Sequence, residues 1–238
     1  MFGLGFDCNF QNMNQVQRPK TKAPRPTPSN IAAIILAAGR SSRMGAFKPL
    51  LPFGPKTVIQ TCVDNLRRGG IELLVVVVAD GPRAADLHAH LKDSNVILAV
   101  NPAVESEMSA SVACGVLAVP TATKAVVIIP ADQPAVPDEV VSAVIAEWKK
   151  GARLVKPTTD GRGGHPVLVD LFFRAELLRL DPERGLKALF TDHEAEVVRR
   201  EVNSNFIARD MDTWDDYCAL HEQVFDVAPP ELRECEQD

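Results

Sequence analysis

A doubly wound α/β fold, with a mostly parallel, Rossmann-like sheet between helical layers, is predicted by three features of the 238-residue sequence. Four apolar runs are continuous rather than alternating, as expected of strands buried on both faces. Segments of helix length separate them. The resulting alternation of strand and helix favours parallel pairing through helical crossovers.

The runs are Ile31–Ala37 (IAAIILA), Leu73–Ala79 (LLVVVVA), Val96–Val100 (VILAV) and Ala125–Pro130 (AVVIIP). Helices are expected at Val58–Arg68, Ala84–Lys92, Ser109–Val119 and Pro137–Lys149. After residue 150 the pattern loosens. Shorter strands at Arg153–Pro157 and His165–Val169 flank a glycine-rich loop, and helices are expected at Asp170–Arg179 and Gly185–Phe190. No internal repeat is present. The domain is placed at 31–223. Before it, residues 1–30 read as a flexible leader, because Pro19, Pro24, Pro26 and Pro28 crowd a polar stretch that cannot bury a core. Met13 is an alternative natural start. Residues 224–238 read as a solvated acidic tail.

Composition bounds the function. Apolar residues are 46% and charged residues 24%, which excludes a wholly disordered or fibrous chain. The net charge of −5 makes a general nucleic-acid coat a poor reading. Cys8, Cys62, Cys114, Cys218 and Cys235 are scattered, with no CxxC pair, so free thiols in a reducing compartment are expected. No apolar run is long enough to span a membrane, and the amino terminus lacks a signal-peptide pattern. The cytoplasm is the expected location.

In open parallel sheets, ligands bind beyond the carboxyl ends of the strands. The first run is followed by Ala37-Ala38-Gly39-Arg40-Ser41-Ser42-Arg43-Met44-Gly45-Ala46-Phe47-Lys48. Ala37, Ala38 and Gly39 let a ligand pack on the backbone. Gly39 and Gly45 permit conformations in which successive N–H groups turn inward around an anion. Arg40, Arg43 and Lys48 supply cations; Ser41 and Ser42 supply hydroxyls. The sum is a cradle for more than one phosphate. It is neither GxxxxGK[ST] nor GxGxxG, which counts against a P-loop ATPase and a dinucleotide oxidoreductase.

The fourth run ends in Pro130-Ala131-Asp132-Gln133-Pro134. Its position directs Asp132 into the same crevice, where one carboxylate suits Mg²⁺, an ion commonly held by one or two carboxylates plus substrate phosphates. A turn or cap aspartate is the plainer alternative. Asp80, after the second run, also faces the crevice, as a nucleotide contact or a plain turn residue. The acid cluster Arg209–Tyr217 fails the EF-hand template at Trp214 and Asp215. Thr213 with Asp216 instead reads as a helix N-cap and its acidic partner. No Ser-His-Asp arrangement is evident, and His88 and His90 do not share a helix face. Trp148 and Trp214 read as packing residues.

LAAGRSSRMG followed by KPLLPFG resembles the signature of the nucleotidyltransferases of molybdenum-cofactor biosynthesis, the MobA-like NTP transferases, over about Ile31–Gln223. The wider group includes sugar-phosphate and isoprenoid-precursor nucleotidyltransferases. The resemblance implies a Mg²⁺-dependent enzyme in which Arg43, Lys48 and Asp132 are catalytic and Asp132 and Asp212 hold the metal, with Asp210 a lesser candidate. It implies nucleotide contacts at Asn101 (in Asn101-Pro102), Ser109 and Ser111, although Glu107 stands where the family usually has glycine. It places the acceptor beside Gly164, His165 and Pro166. LAAG rather than LAGG points to CTP over GTP. The implied reaction joins CMP from CTP to molybdopterin and releases pyrophosphate, with a molybdoenzyme as eventual recipient of the product. GTP, or a different acceptor such as a sugar phosphate, is the first alternative. A non-catalytic cofactor chaperone is the second, and the joint presence of Arg43, Lys48, Asp132 and Asp212 argues against it.

Overall fold

In a computed structural model of the chain, residues 30–39, 43–102 and 108–230 are described. The expected leader therefore lies, up to residue 29, outside the described residues, as does the end of the expected tail from residue 231.

The first apolar run forms β1 (Ile31–Leu36) at the middle of the sheet. A short hairpin follows, β2 (Pro52–Phe53) and β3 (Lys56–Thr57). Helix α1 (Val58–Arg68) starts at a capping box: Thr57 Oγ1 accepts from the Gln60 N–H, and the Gln60 side chain accepts from the Thr57 N–H. The chain then runs through β4 (Leu73–Ala79), α2 (Pro82–Leu91) and β5 (Ile97–Asn101). Proline at the first position of α2, where its fixed φ suits a helix start, moves the start two residues before the expected one. Next come α3 (Met108–Ala118), β6 (Ala125–Pro130) and α4 (Asp138–Lys149).

The last third adds β7 (Leu154–Thr159), β8 (Arg162–Gly163) and β9 (Val167–Asp170). The helix expected at Asp170–Arg179 is broken. The Asp170 carboxylate accepts from the Phe172 N–H, a 3₁₀ turn occupies Leu171–Phe173, and α5 is only Arg174–Leu177. After α6 (Gly185–Asp192) comes an unexpected strand, β10 (Val197–Glu201), and the described chain closes on α7 (Trp214–Phe225). Helix α7 runs two residues past the expected domain edge, and the Val227 carbonyl still accepts from His221 Nδ1 at 2.7 Å.

The order across the sheet is β10-β7-β9-β6-β1-β4-β5. Strands β1, β4, β5 and β6 pair in parallel, and β9 is antiparallel to both neighbours. Alternate residues of β1 feed two cores. Ala33 and Ile35 meet Ile59, Val63 and Leu66 of α1 and Val140, Val144 and Ile145 of α4. Ala32 and Ile34 meet Val112 and Val116 of α3 and Leu186 and Leu189 of α6. Each buried Val, Leu or Ile side chain among them contributes about 1.5–3 kcal/mol. Gly115 lets α3 approach closely, since a Cβ there would lie 2.4 Å from Ile34 Cγ2. The outer strand β10 carries Arg199, Arg200 and Glu201, charges that discourage edge-to-edge pairing. No helix among the described residues is long and apolar enough to cross a membrane.

From β1 the chain crosses one face to β4, whereas β6 is reached over the other face through α3. Connections thus diverge at the carboxyl ends of β1 and β6, the topological position where open α/β sheets open a ligand crevice.

Candidate active site

The crevice floor is set by register. Leu36 of β1 lies opposite Pro130 of β6, and the Ala131 N–H donates to the Leu36 carbonyl at 3.0 Å. The residues after each strand therefore emerge side by side. A cavity of about 200 Å³ opens there, lined by Ala37, Ala38, Gly39, Lys48, Ser111 and Asp132, with Met108, Pro49 and strand-end residues completing it. A Cβ on Gly39 would meet nothing within 4 Å, so the backbone here faces open space. The left-handed conformation expected of this loop is found at Gly45, φ +68°, and not at Gly39, whose use is its missing side chain. Arg40, Ser41 and Ser42 lie outside the described residues.

Charge converges on Lys48. A 3₁₀ turn over Lys48–Leu50, with Pro49 at its first positions, buries the lysine stem. Its Nζ donates to Asp132 Oδ2 at 3.3 Å and to Asp212 Oδ1 at 2.9 Å. Arg43 adds a contact from its Nη1 to Asp212 Oδ2 at 2.7 Å. Two carboxylates far apart in sequence thus flank one ammonium. They respond oppositely. Burial pushes the Asp132 carboxyl up, outweighing the pull of Lys48, while Asp210 pushes it further. The Lys48 hydrogen bond leads at the more exposed Asp212 and holds its carboxyl below the usual range. Among the described residues no group of three or more His, Cys, Asp or Glu is arranged to cage a metal. Two carboxylates flanking one cation could instead hold a divalent ion that completes its shell with water and phosphate oxygens.

The segment bearing Asp212 is fastened to the segment bearing Asp132. The Met211 N–H donates to the Asp132 carbonyl at 3.3 Å, and the buried Gln133 side chain donates through Nε2 to Asp210. Thr213 caps α7 through a reciprocal pair with Asp216, as its sequence position predicts. Asp215 and Asp216 accordingly occupy the first turn of α7. Trp214, expected to be a packing residue, packs edge-on against Tyr217 while 39% exposed, and also donates through Nε1 to the Met44 carbonyl at 3.1 Å. Trp148 does pack against the core and donates to Asp170 Oδ2 at 2.7 Å.

The other expected contacts are more spread. Asn101 ends β5, buried, and its Nδ2 donates to Ser111 Oγ at 3.1 Å, so it stands behind a serine of the cavity wall. Ser109 and Ser111 are buried within α3, not at its cap. Asp80 is exposed beyond β4, does not line the cavity, and its N–H donates to the Asn101 carbonyl at 3.1 Å. Glu107 lies outside the described residues. In the expected acceptor loop, which does not line this cavity, the His165 N–H donates to the Ile207 carbonyl at 2.8 Å, and a Cβ on Gly164 would lie 2.0 Å from that carbonyl oxygen. Pro166 is buried behind it. Burial lowers the His165 imidazole to about 4 against an opposing influence from Asp210, so the ring is neutral near pH 7.

Sequence reasoning gave Gln133 no role and Trp214 only a packing one. A signal for Gln133 existed: an amide wedged between a candidate metal aspartate and a proline, at the end of a buried strand.

The family model for the MobA-like NTP transferase domain matches residues 33–197. The chain is 28% identical over 202 residues to the molybdenum cofactor cytidylyltransferase of Escherichia coli K12, covering 84% of this chain and all of that protein. It is 49% identical over 51 residues to a probable molybdenum cofactor guanylyltransferase of Carboxydothermus hydrogenoformans, covering 21% of this chain and 26% of that one. Among solved structures, Rv0371c of Mycobacterium tuberculosis H37Rv superposes with a TM-score of 0.72 at 27% identity, over 82% of this chain and all of that one.

Proposed function

Because the chain belongs to the MobA-like NTP transferase family and is a nucleotidyltransferase, we propose that it transfers CMP from CTP to molybdopterin and releases pyrophosphate. The observation that carries this reading is the Lys48 ammonium held between Asp132 and Asp212 at the mouth of the small-residue loop. The choice of CTP and of molybdopterin is supported by likeness to the full length of the cytidylyltransferase and by the LAAG motif.

Each group has a task fixed by its chemistry. The backbone at Ala37, Ala38 and Gly39, with Arg40, Ser41, Ser42 and Gly45, receives the triphosphate. Asn101, Ser109 and Ser111 serve its nucleoside, and Asp80, exposed outside the cavity, is assigned as a further nucleotide contact. Asp132 and Asp212 would hold Mg²⁺, which when bound neutralises the clustered phosphate oxygens. Arg43 and Lys48 turn from carboxylate to phosphate, stabilising the charge that builds on the departing pyrophosphate. Gly164, His165 and Pro166 shape the acceptor side. A new bond forms between an acceptor phosphate oxygen and the α-phosphorus, and the bond from that phosphorus to the β-phosphate oxygen breaks. The attacking oxygen is already deprotonated at neutral pH, so the step needs neither a charged His165 nor a protein nucleophile. The dinucleotide product would pass to a molybdoenzyme.

The test is pyrophosphate release and product mass with molybdopterin, Mg²⁺ and each nucleoside triphosphate in turn. CTP should turn over at least about tenfold faster than GTP, a difference of about 1.4 kcal/mol. Equal or greater turnover of GTP overturns the base, and turnover of a sugar phosphate in preference to molybdopterin overturns the acceptor.

A further inference from the structure

We infer that Trp214 is a positioning residue that latches the phosphate loop to the metal-side helix while nucleotide is bound. The inference rests on reading the 37–48 loop as the triphosphate cradle.

Two polar contacts tie residues 43–46 to other parts of the structure among the described residues: Arg43 to Asp212, and Met44 to Trp214. Both partners lie at the start of α7. The loop therefore takes its position from that helix start. The helix start is itself rigid. Thr213 and Asp216 close a capping box around it, which fixes Trp214 as the first helical residue. The indole packs edge-on against Tyr217, ring centroids 5.8 Å apart. Tyr217 is buried and donates its hydroxyl proton to the Pro52 carbonyl at 2.6 Å. Below, Met44, Phe53, Met211 and Tyr217 share one apolar cluster.

The two ties have different fates when substrate arrives. Triphosphate competes for the Arg43 guanidinium, and a divalent ion competes for the Asp212 carboxylate. Their mutual contact, with the Arg43 side chain 71% exposed, is thus exchanged for contacts to ligand. Trp214 Nε1 and the Met44 carbonyl are claimed by neither ligand. Their hydrogen bond survives the exchange and keeps the loop beside the carboxylates when Arg43 has let go. An indole suits the position because its N–H is a donor only and cannot ligate the metal, and its proton is already held by the Met44 carbonyl.

Trp214→Phe keeps an aromatic ring over Tyr217 and removes the donor. With CTP, molybdopterin and Mg²⁺, its nucleotide KM should rise about fivefold, the worth of one neutral hydrogen bond. Its kcat and acceptor KM should stay within about twofold of the parent. An unchanged nucleotide KM overturns the latch. So does a fall in kcat with both KM values raised together, since general loosening of the site gives that pattern. Lys48→Met, assayed beside it, separates the two levels: if Lys48→Met retains full turnover, the cradle reading itself fails. If Lys48→Met is inactive while Trp214→Phe matches the parent, the latch alone fails.

Discussion

Replacing Lys48 by methionine preserves the apolar stem and deletes the charge between Asp132 and Asp212. At an effective dielectric near 20, unit charges about 4 Å apart attract by about 4 kcal/mol. The contacts here are 3.3 and 2.9 Å. Asp212 has a side chain 46% exposed, so solvent screening reduces its share to about 1 kcal/mol or less. Asp132 is more enclosed, at 25%, and keeps a larger share, about 2–3 kcal/mol. Lys48→Met should therefore lower the unfolding free energy by about 2–4 kcal/mol in urea titrations at pH 7. In turnover the same ammonium faces the developing pyrophosphate charge. Loss of one such preorganised donor costs about 10²–10³-fold in kcat. Apo Lys48→Met should also bind Mn²⁺ more tightly than the parent, because no ammonium contests the two carboxylates. Turnover within tenfold of the parent, or weaker Mn²⁺ binding by the variant, would refute the reasoning.

Three further outcomes follow from the same geometry. His165 titrates near 4 in the folded chain instead of 6.5, so its contribution to stability is full above about pH 6.5 and is lost as pH falls towards 4; each pKa unit is worth about 1.4 kcal/mol, about 3 kcal/mol in all. His165→Gln should flatten that part of the stability–pH profile measured by thermal unfolding. Gly164→Ala forces a methyl against the Ile207 carbonyl and should cost about 2 kcal/mol or more by denaturant titration. Thr213→Ala, which removes the cap of α7, should cost about 1 kcal/mol by the same measurement.

The strands that were legible are those buried on both faces. IAAIILA, LLVVVVA and AVVIIP have no polar residue, so composition alone betrays a parallel sheet interior, and the residues after them mark the crevice. Strand β10, VVRRE, was invisible because a half-exposed edge strand needs only one apolar face and welcomes charge on the other. The β2–β3 hairpin is too short for any periodicity, and it is held by Phe53 packing under α7, a contact between residues distant in sequence. The site divides in the same way. Gly45 and the Thr213 cap obey local rules and could be read from neighbours in the chain. The meeting of Asp132 with Asp212 through Lys48, and of Trp214 with Met44, spans long sequence separations and is fixed by the sheet order.

The most direct test counts the ion. With CTP and the catalytically slowed Lys48→Met chain, Mn²⁺ titrated by electron paramagnetic resonance should bind once per molecule. Asp132→Asn and Asp212→Asn, each added to that background, should both weaken the binding by about tenfold or more. Undiminished Mn²⁺ affinity in either carboxamide variant would contradict a metal shared between the two carboxylates.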